Sequence, residues 1–318
     1  MGKRRGIMDR VNDSPETNIS SGKSILTQIV KIAIPVTIGA SVMPLVNFAD
    51  QMIVLNRLKP IMDMVEGIPP SVLATKTGTQ IATSLYGLLV SVCNPLVNFP
   101  AFISLALGVS LVPAVSEAVA LKDRKRTARI AGTGVRMTML LGLPSAVGLI
   151  TLAYPIIRVL FGAYAEWEVK FGAWILSLLA VGIIFLSLVQ SLTAILQGTG
   201  KVMLPVRNLL IGAVFKVIIT VVLVGNPAWN IRGAAMGTVI CYAVASVLNL
   251  IGVIRHTGMA FSLRDVIIKP VVAAGVMGLA VWGVRTFIYA RTESWGMTLV
   301  LAMIVGVAVY AVMLFAVK

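Results

Sequence analysis

Eight apolar segments, each long enough to cross a bilayer, follow one another along the chain, joined by short connections rich in Lys and Arg. A hydrocarbon core takes about 20 apolar residues per helix. The hydropathy of the chain places spans near 25–55, 81–117, 130–154, 171–196, 202–225, 233–254, 268–288 and 296–317. Only 12% of the residues are charged, about half the roughly 25% of soluble domains. The alternating ten-residue segments of a membrane barrel are absent from the sequence. The expected fold class is therefore an all-α integral membrane protein, an eight-helix bundle.

The first two spans exceed what one crossing requires. Pro35 and Pro44 interrupt the first, and Pro95, Pro100 and Pro113 the second. Each removes a backbone donor that only neighbouring helices or water replace, so both helices are expected to bend and to face protein. Residues 1–24 form a polar head without the apolar core of a cleaved signal peptide and read as a flexible cytoplasmic segment.

Basic residues set the orientation. Sixteen fall on one side, including Lys3, Arg4 and Arg5 in the head and Lys122, Arg124, Lys125, Arg126 and Arg129 after span two; seven fall on the other. Both termini are thus expected in the cytoplasm. A net charge of +15 would suggest nucleic acid in a soluble protein, but topology already accounts for these residues and no recognition fold accompanies them. Membrane lipids with anionic headgroups are the expected partners, and nucleic acid is not.

Enzyme chemistry finds little to build on. His256 is the only histidine and is placed in a cytoplasmic loop, so neither a histidine-based triad nor a metal cluster assembles within the membrane. Cys93 and Cys241 lie in separate spans and read as buried free thiols. Gln197-Gly198-Thr199-Gly200-Lys201 lacks the upstream glycine and the Ser or Thr of a phosphate loop, and it follows a helix, so it reads as a tight turn. No cofactor or metal is expected, and the chain is not read as an enzyme.

Polar groups inside the spans carry more information, because charge in hydrocarbon usually faces a cavity or a partner. Lys31, Arg136, Lys216 and Arg285 are the basic residues within or at the ends of spans. Arg285 is close enough to an end to snorkel, and Arg136 is balanced between snorkelling and a cavity. Lys216 lies roughly 13 Å deep at 1.5 Å per residue, and Asp50 about 7–8 Å deep on span one. A buried Asp50–Lys216 pair and two separately hydrated charges are both open. Thr220 shares the face of Lys216, and Thr238 enters span six at a comparable depth, so the four outline a cluster for an ion, a proton or a charge pair. The amides Asn98, Gln190, Gln197 and Asn249 add polarity that interhelical hydrogen bonds explain equally well.

Residue strings then suggest a family. Ile34-Pro35-Val36 with the Asn47…Asp50 end of span one, Leu85-Tyr86-Gly87 leading to Asn98-Phe99-Pro100, and Leu111-Val112-Pro113-Ala114-Val115-Ser116 resemble the polysaccharide flippase superfamily, which includes multidrug exporters and lipid-linked oligosaccharide flippases. Leu196 to Lys201, then Lys216, then Ile231-Arg232-Gly233-Ala234-Ala235-Met236-Gly237-Thr238 resemble the stage V sporulation protein B branch, similar to MurJ-type lipid II flippases. The resemblance covers residues 25–318 and implies the second lobe of a two-lobe transporter. It divides the chain into an inter-lobe connection (1–24), a six-helix lobe (25–256) and a terminal helix pair (257–318).

That resemblance implies a bacterial plasma-membrane flippase for undecaprenyl-diphosphate-linked cell-wall precursors such as lipid II, working by alternating access in peptidoglycan synthesis or sporulation. A multidrug or metabolite antiporter of the same superfamily, and a non-transporting scaffold or remnant, stand as alternatives. Full-length relatives have about fourteen helices, so the chain is read as a fragment, a split product or a short member. It would need a first lobe in trans or a homodimer. The essential arginine of the helix matching span two is missing at Tyr86-Gly87-Leu88-Leu89, leaving Lys31 and Arg136, with Asn98 and Gln190, as candidates to bind cargo. Some relatives hold sodium through an acid matching Asp50; the ammonium of Lys216 would stand in that neighbourhood, favouring proton or potential-linked coupling. Spans seven and eight resemble the pair that lines a groove for the lipid tail.

Overall fold

A computed structural model of the chain describes residues 22–260, 262 and 264–316. It divides into two compact units, Met1–Val42 and Met43–Lys318. The described part of the first is the opening of helix α1 (Gly22–Leu58). The second holds the end of α1, a 3-10 turn (Lys59–Met64), a short helix α2 (Pro70–Thr75), and α3 (Gly78–Ala120). It continues through α4 (Arg124–Leu160), α5 (Glu166–Gly198), α6 (Met203–Val224), α7 (Arg232–Thr257), α8 (Lys269–Thr292) and α9 (Trp295–Ala316). No strand occurs among the described residues.

Among the described residues seven helical stretches, α3 to α9, are long and apolar enough to cross a membrane. They coincide with the last seven expected spans. The first expected span corresponds to α1, 37 residues long, many of whose side chains lie outside the described residues.

Local chemistry explains the helix ends. The Thr77 hydroxyl accepts from the Gln80 backbone N–H while the Gln80 side chain accepts from that of Thr77, starting α3 with a reciprocal cap. Asp123 caps α4 by accepting from the Arg126 N–H at 2.9 Å. The Gly198-Thr199-Gly200-Lys201 string ends α5: Gly200 takes φ +79°, its N–H reaches the Gln197 carbonyl, and the Lys201 N–H reaches that of Leu196. It is thus a helix stop, as its sequence suggests. His256 departs from expectation: it sits in the last turn of α7, its Nδ1 2.8 Å from the Gly252 carbonyl, because the helix continues until Gly258 turns left-handed at φ +67°.

Within the second unit α5 is central, packing against α3, α4 and α7, while α6 packs on α7 and the α8–α9 pair lies against α4. Phe171, Leu176, Leu179 and Ile183 of α5 anchor the larger core with Val54 and Leu58 of α1 and Leu85 of α3. Lipid offers no hydrophobic drive between helices, so close backbones and polar bridges carry much of the specificity. The Asn208 amide donates to Asn249 at 2.8 Å, and the Thr138 and Ser191 hydroxyls meet at 2.5 Å. The Arg285 Nη1 donates to the Thr151 carbonyl at 2.8 Å, and Tyr310 donates to the Leu140 carbonyl, tying the terminal pair to α4.

Candidate functional site: a polar cavity beside a buried ion pair

Three glycines let α6 and α7 approach closely enough to place the charged residues. A Cβ at Gly212 would stand 2.5 Å from the Cys241 carbonyl oxygen, at Gly233 2.7 Å from Leu223, and at Gly237 2.6 Å from the Thr220 hydroxyl. With no side chain between them, the helices hold Lys216 and Thr220 turned toward the end of α1. Lys216 Nζ lies 3.3 Å from Asp50 Oδ2, and the Thr220 hydroxyl donates to Asp50 Oδ1 at 3.3 Å. The two charged side chains are 4% and 7% exposed. The geometry is therefore the buried pair and not two separately hydrated charges.

A cavity of about 560 Å³ opens beside the pair, lined by Asp50, Lys216 and Thr238 together with Asn47, Gln51, Thr83, Tyr86, Asn94, Asn98 and Tyr242. Part of its wall is a π-helical stretch of α3, Leu88–Cys93. Pro95, two residues beyond Cys93, has no N–H for the Ser91 carbonyl; the Asn94 N–H bonds the Leu89 carbonyl, one residue further back than in an α-helix. This local widening turns Ser91, Asn94 and Asn98 toward the cavity. Thr238 lines it with its hydroxyl bonded to the Ala234 carbonyl of its own helix.

The candidates for cargo binding do not gather at one place. Asn98 lines the cavity. Gln190 does not: α3 and α5 close there, Gly108 lying against Ala194 and the Gln190 carbonyl, and the Gln190 Oε1 is buried without a partner. Arg136 lines a different cavity, about 530 Å³, with Lys125 and Arg129 at the basic end of α4, because its helix face is turned to Gly258, Met259, Ser262 and Asp265. The side chain of Lys31 lies outside the described residues. Tyr86, Tyr242, Gln51 and Asn94 line the cavity without having been expected as site residues. Polarity inside an apolar span was the signal of Tyr242, Gln51 and Asn94, and many interhelical contacts share it; Tyr86 stands in the stretch where the resemblance implies an arginine.

A third cavity, of about 670 Å³, runs between α4 and the α8–α9 pair. Its lining is almost wholly apolar, including Leu140, Pro144, Leu152, Met277, Val281 and Val307.

A helical bundle with membrane-length apolar helices, a polar cavity at a buried ion pair and an apolar groove on its flank has the build of a multi-pass membrane protein. The family model of MurJ, lipid II flippase, matches residues 23–306, and the chain belongs to that family. It is 26% identical over 320 residues to the lipid II flippase MurJ of Bacillus subtilis (strain 168), covering 97% of this chain and 55% of the relative. It is 25% identical over 248 residues to the stage V sporulation protein B of the same organism, covering 78% and 44%. The chain thus spans about half the length of these relatives. Among solved structures, lipid II flippase MurJ in an inward closed conformation superposes with TM-score 0.55 at 17% identity, over 74% of this chain and 51% of that one. An outward-facing multidrug resistance MATE transporter gives 0.54 at 20% identity, over 90% and 64%. These two likenesses speak for the fold.

Proposed function

We propose that residues 25–318 form the second lobe and terminal helix pair of a flippase for undecaprenyl-diphosphate-linked cell-wall precursors of the lipid II kind, with residues 1–24 as the connection between lobes. The observation that carries the reading is the Asp50–Lys216 pair facing a polar cavity in a member of the lipid II flippase family. Two lobes rocking about a midplane site must exchange contacts there, and a buried ion pair is a contact whose strength depends on whether the cavity is closed or wet. A diphosphate needs fixed positive charge, which Lys125, Arg129 and Arg136 offer at the basic end of α4. A prenyl tail needs only apolar surface, which the groove between α4 and α8–α9 offers. Asn98 in the polar cavity, and Lys31, complete the residues we assign to the cargo's head.

The lobe does this work only against a first lobe, supplied in cis, in trans or by a second copy. Expressed as this sequence in cells depleted of their own flippase, it should not restore growth, and should do so when a six-helix first lobe is co-expressed. Arg136→Gln and Asp50→Asn should each abolish that rescue at normal protein levels. Strong rescue by this chain alone at a concentration where it is monomeric would sink the two-lobe reading.

A further inference from the structure

Arg232 belongs to the string Ile231-Arg232-Gly233, and nothing in the transport reading uses it. It sits at the start of α7, at the end of the bundle away from the Lys122–Arg129 connection. Its guanidinium sits over the Trp174 indole, Cζ 3.9 Å from the ring centroid, and Trp174 is braced edge-on by Phe171. Among the described residues, no carboxylate comes within 4 Å of it and no side chain or carbonyl accepts from it. The contact with the ring holds the guanidinium in place and leaves its donors unused, an arrangement that favours bidentate oxyanions.

The same guanidinium lines a cavity of about 750 Å³ whose floor supplies a second unused group. Asn230 is 3% exposed and takes the left-handed backbone at φ +41°. Its Nδ2 is committed to the Pro227 carbonyl at 3.0 Å, which fixes the amide and leaves the buried Oδ1 without a donor. An unpaired buried acceptor is unfavourable until something donates to it. Glu66 stands on the rim of the cavity, with no cation of the described residues within 4 Å, and repels a second negative charge.

We propose that this cavity binds a monoanionic carboxylate that carries its own N–H donor, as the carboxyl end of a peptide does. The carboxylate accepts from the Arg232 fork, and the adjacent amide N–H donates to Asn230 Oδ1. Trp174 and Pro227 offer apolar surface to the side chains beside it. The site is separate from the polar cavity and the apolar groove, so it stands or falls independently of the transport reading.

The full chain in lipid nanodiscs is titrated with N-acetyl-alanyl-alanine, its C-terminal amide, acetate and inorganic phosphate, following tryptophan emission and heat. The dipeptide acid should give a saturable response and the amide none. Arg232→Gln should weaken binding by about tenfold or more, and Arg232→Lys by less, since it keeps the charge but not the fork. Asn230→Gly keeps the left-handed backbone and removes the acceptor; it should weaken the dipeptide and leave acetate unchanged. Equal binding of acid and amide, a stronger response to phosphate, unchanged binding in folded Arg232→Gln, or no saturable response at all would each overturn the assignment.

Discussion

Asp50 and Lys216 are the residues on which the candidate site depends most, and their energetics follow from burial. Each is nearly withdrawn from solvent, so removing one leaves the other charged and uncompensated, at about 3–5 kcal/mol for a fully buried pair. Water in the adjoining cavity lowers that figure. Asp50→Asn and Lys216→Met should each depress the thermal transition of the protein in detergent. The double substitution should recover much of the loss, because the interaction is shared and not additive. Simple addition of the two losses would mean that they act apart. The glycines yield a second, graded test. Gly212→Ala drives a methyl into a backbone oxygen and should destabilise by about 1–3 kcal/mol. Gly237→Ala meets the movable Thr220 hydroxyl first, so the expected loss is smaller and falls on the Thr220–Asp50 hydrogen bond. Gly275→Ala meets nothing within 4 Å and should melt like the parent. A larger loss at Gly275 than at Gly212 would contradict this packing. Sequence alone makes no such distinction: Gly278 and Gly142 face a neighbour, whereas Gly275 and Gly148 face open space.

At the scale of elements, the chain reported its own helices well because a membrane span is written in length and apolarity. These signals survive without knowledge of tertiary contacts. The ends were legible wherever a local rule fixes them, as at Asp123 and at Gly200. A Cβ at Gly200 would find open space, yet φ +79° is strained for any L side chain. Gly200→Ala should therefore cost about 1 kcal/mol in thermal unfolding, and Gly200→Asn less, since Asn tolerates this region. Equal stability of all three would rule out the left-handed helix stop. What sequence did not disclose was how α3 turns its polar residues. Three prolines announced distortion in that span, but the widening falls at Leu88–Cys93, ahead of Pro95, while the helix runs on through Pro100 and Pro113. The face presented by Asn94 and Asn98 depends on that slip, and so does the difference between Asn98 at the cavity and Gln190 shut away behind Gly108. Depth along a helix can be counted from a sequence; rotation about its axis, after a π-turn, cannot.

For the whole molecule, the side of the membrane on which each connection lies decides how the cavities relate to transport. We expect both termini in the cytoplasm, because basic residues near short connections are retained on that side and the chain carries sixteen there against seven opposite. The helices agree in parity: α3 ends at the connection bearing Lys122, and α4 to α9 then alternate from it. Arg136, with Lys125 and Arg129, would then meet a diphosphate arriving from the cytoplasm, whereas Arg232 and Trp174 would face outward. Reporter fusions at Lys125 and Gly258 should read cytoplasmic, and fusions at Pro69 and Glu293 external. Moving Lys122, Lys125 and Arg129 to Gln should weaken this bias and give a mixed population at Lys125, because those residues supply much of the positive charge at the turn between α3 and α4. An external signal at Lys125 in the unaltered chain would invert the assignment, placing the Arg136 cavity on the side from which a cytoplasmic precursor cannot enter.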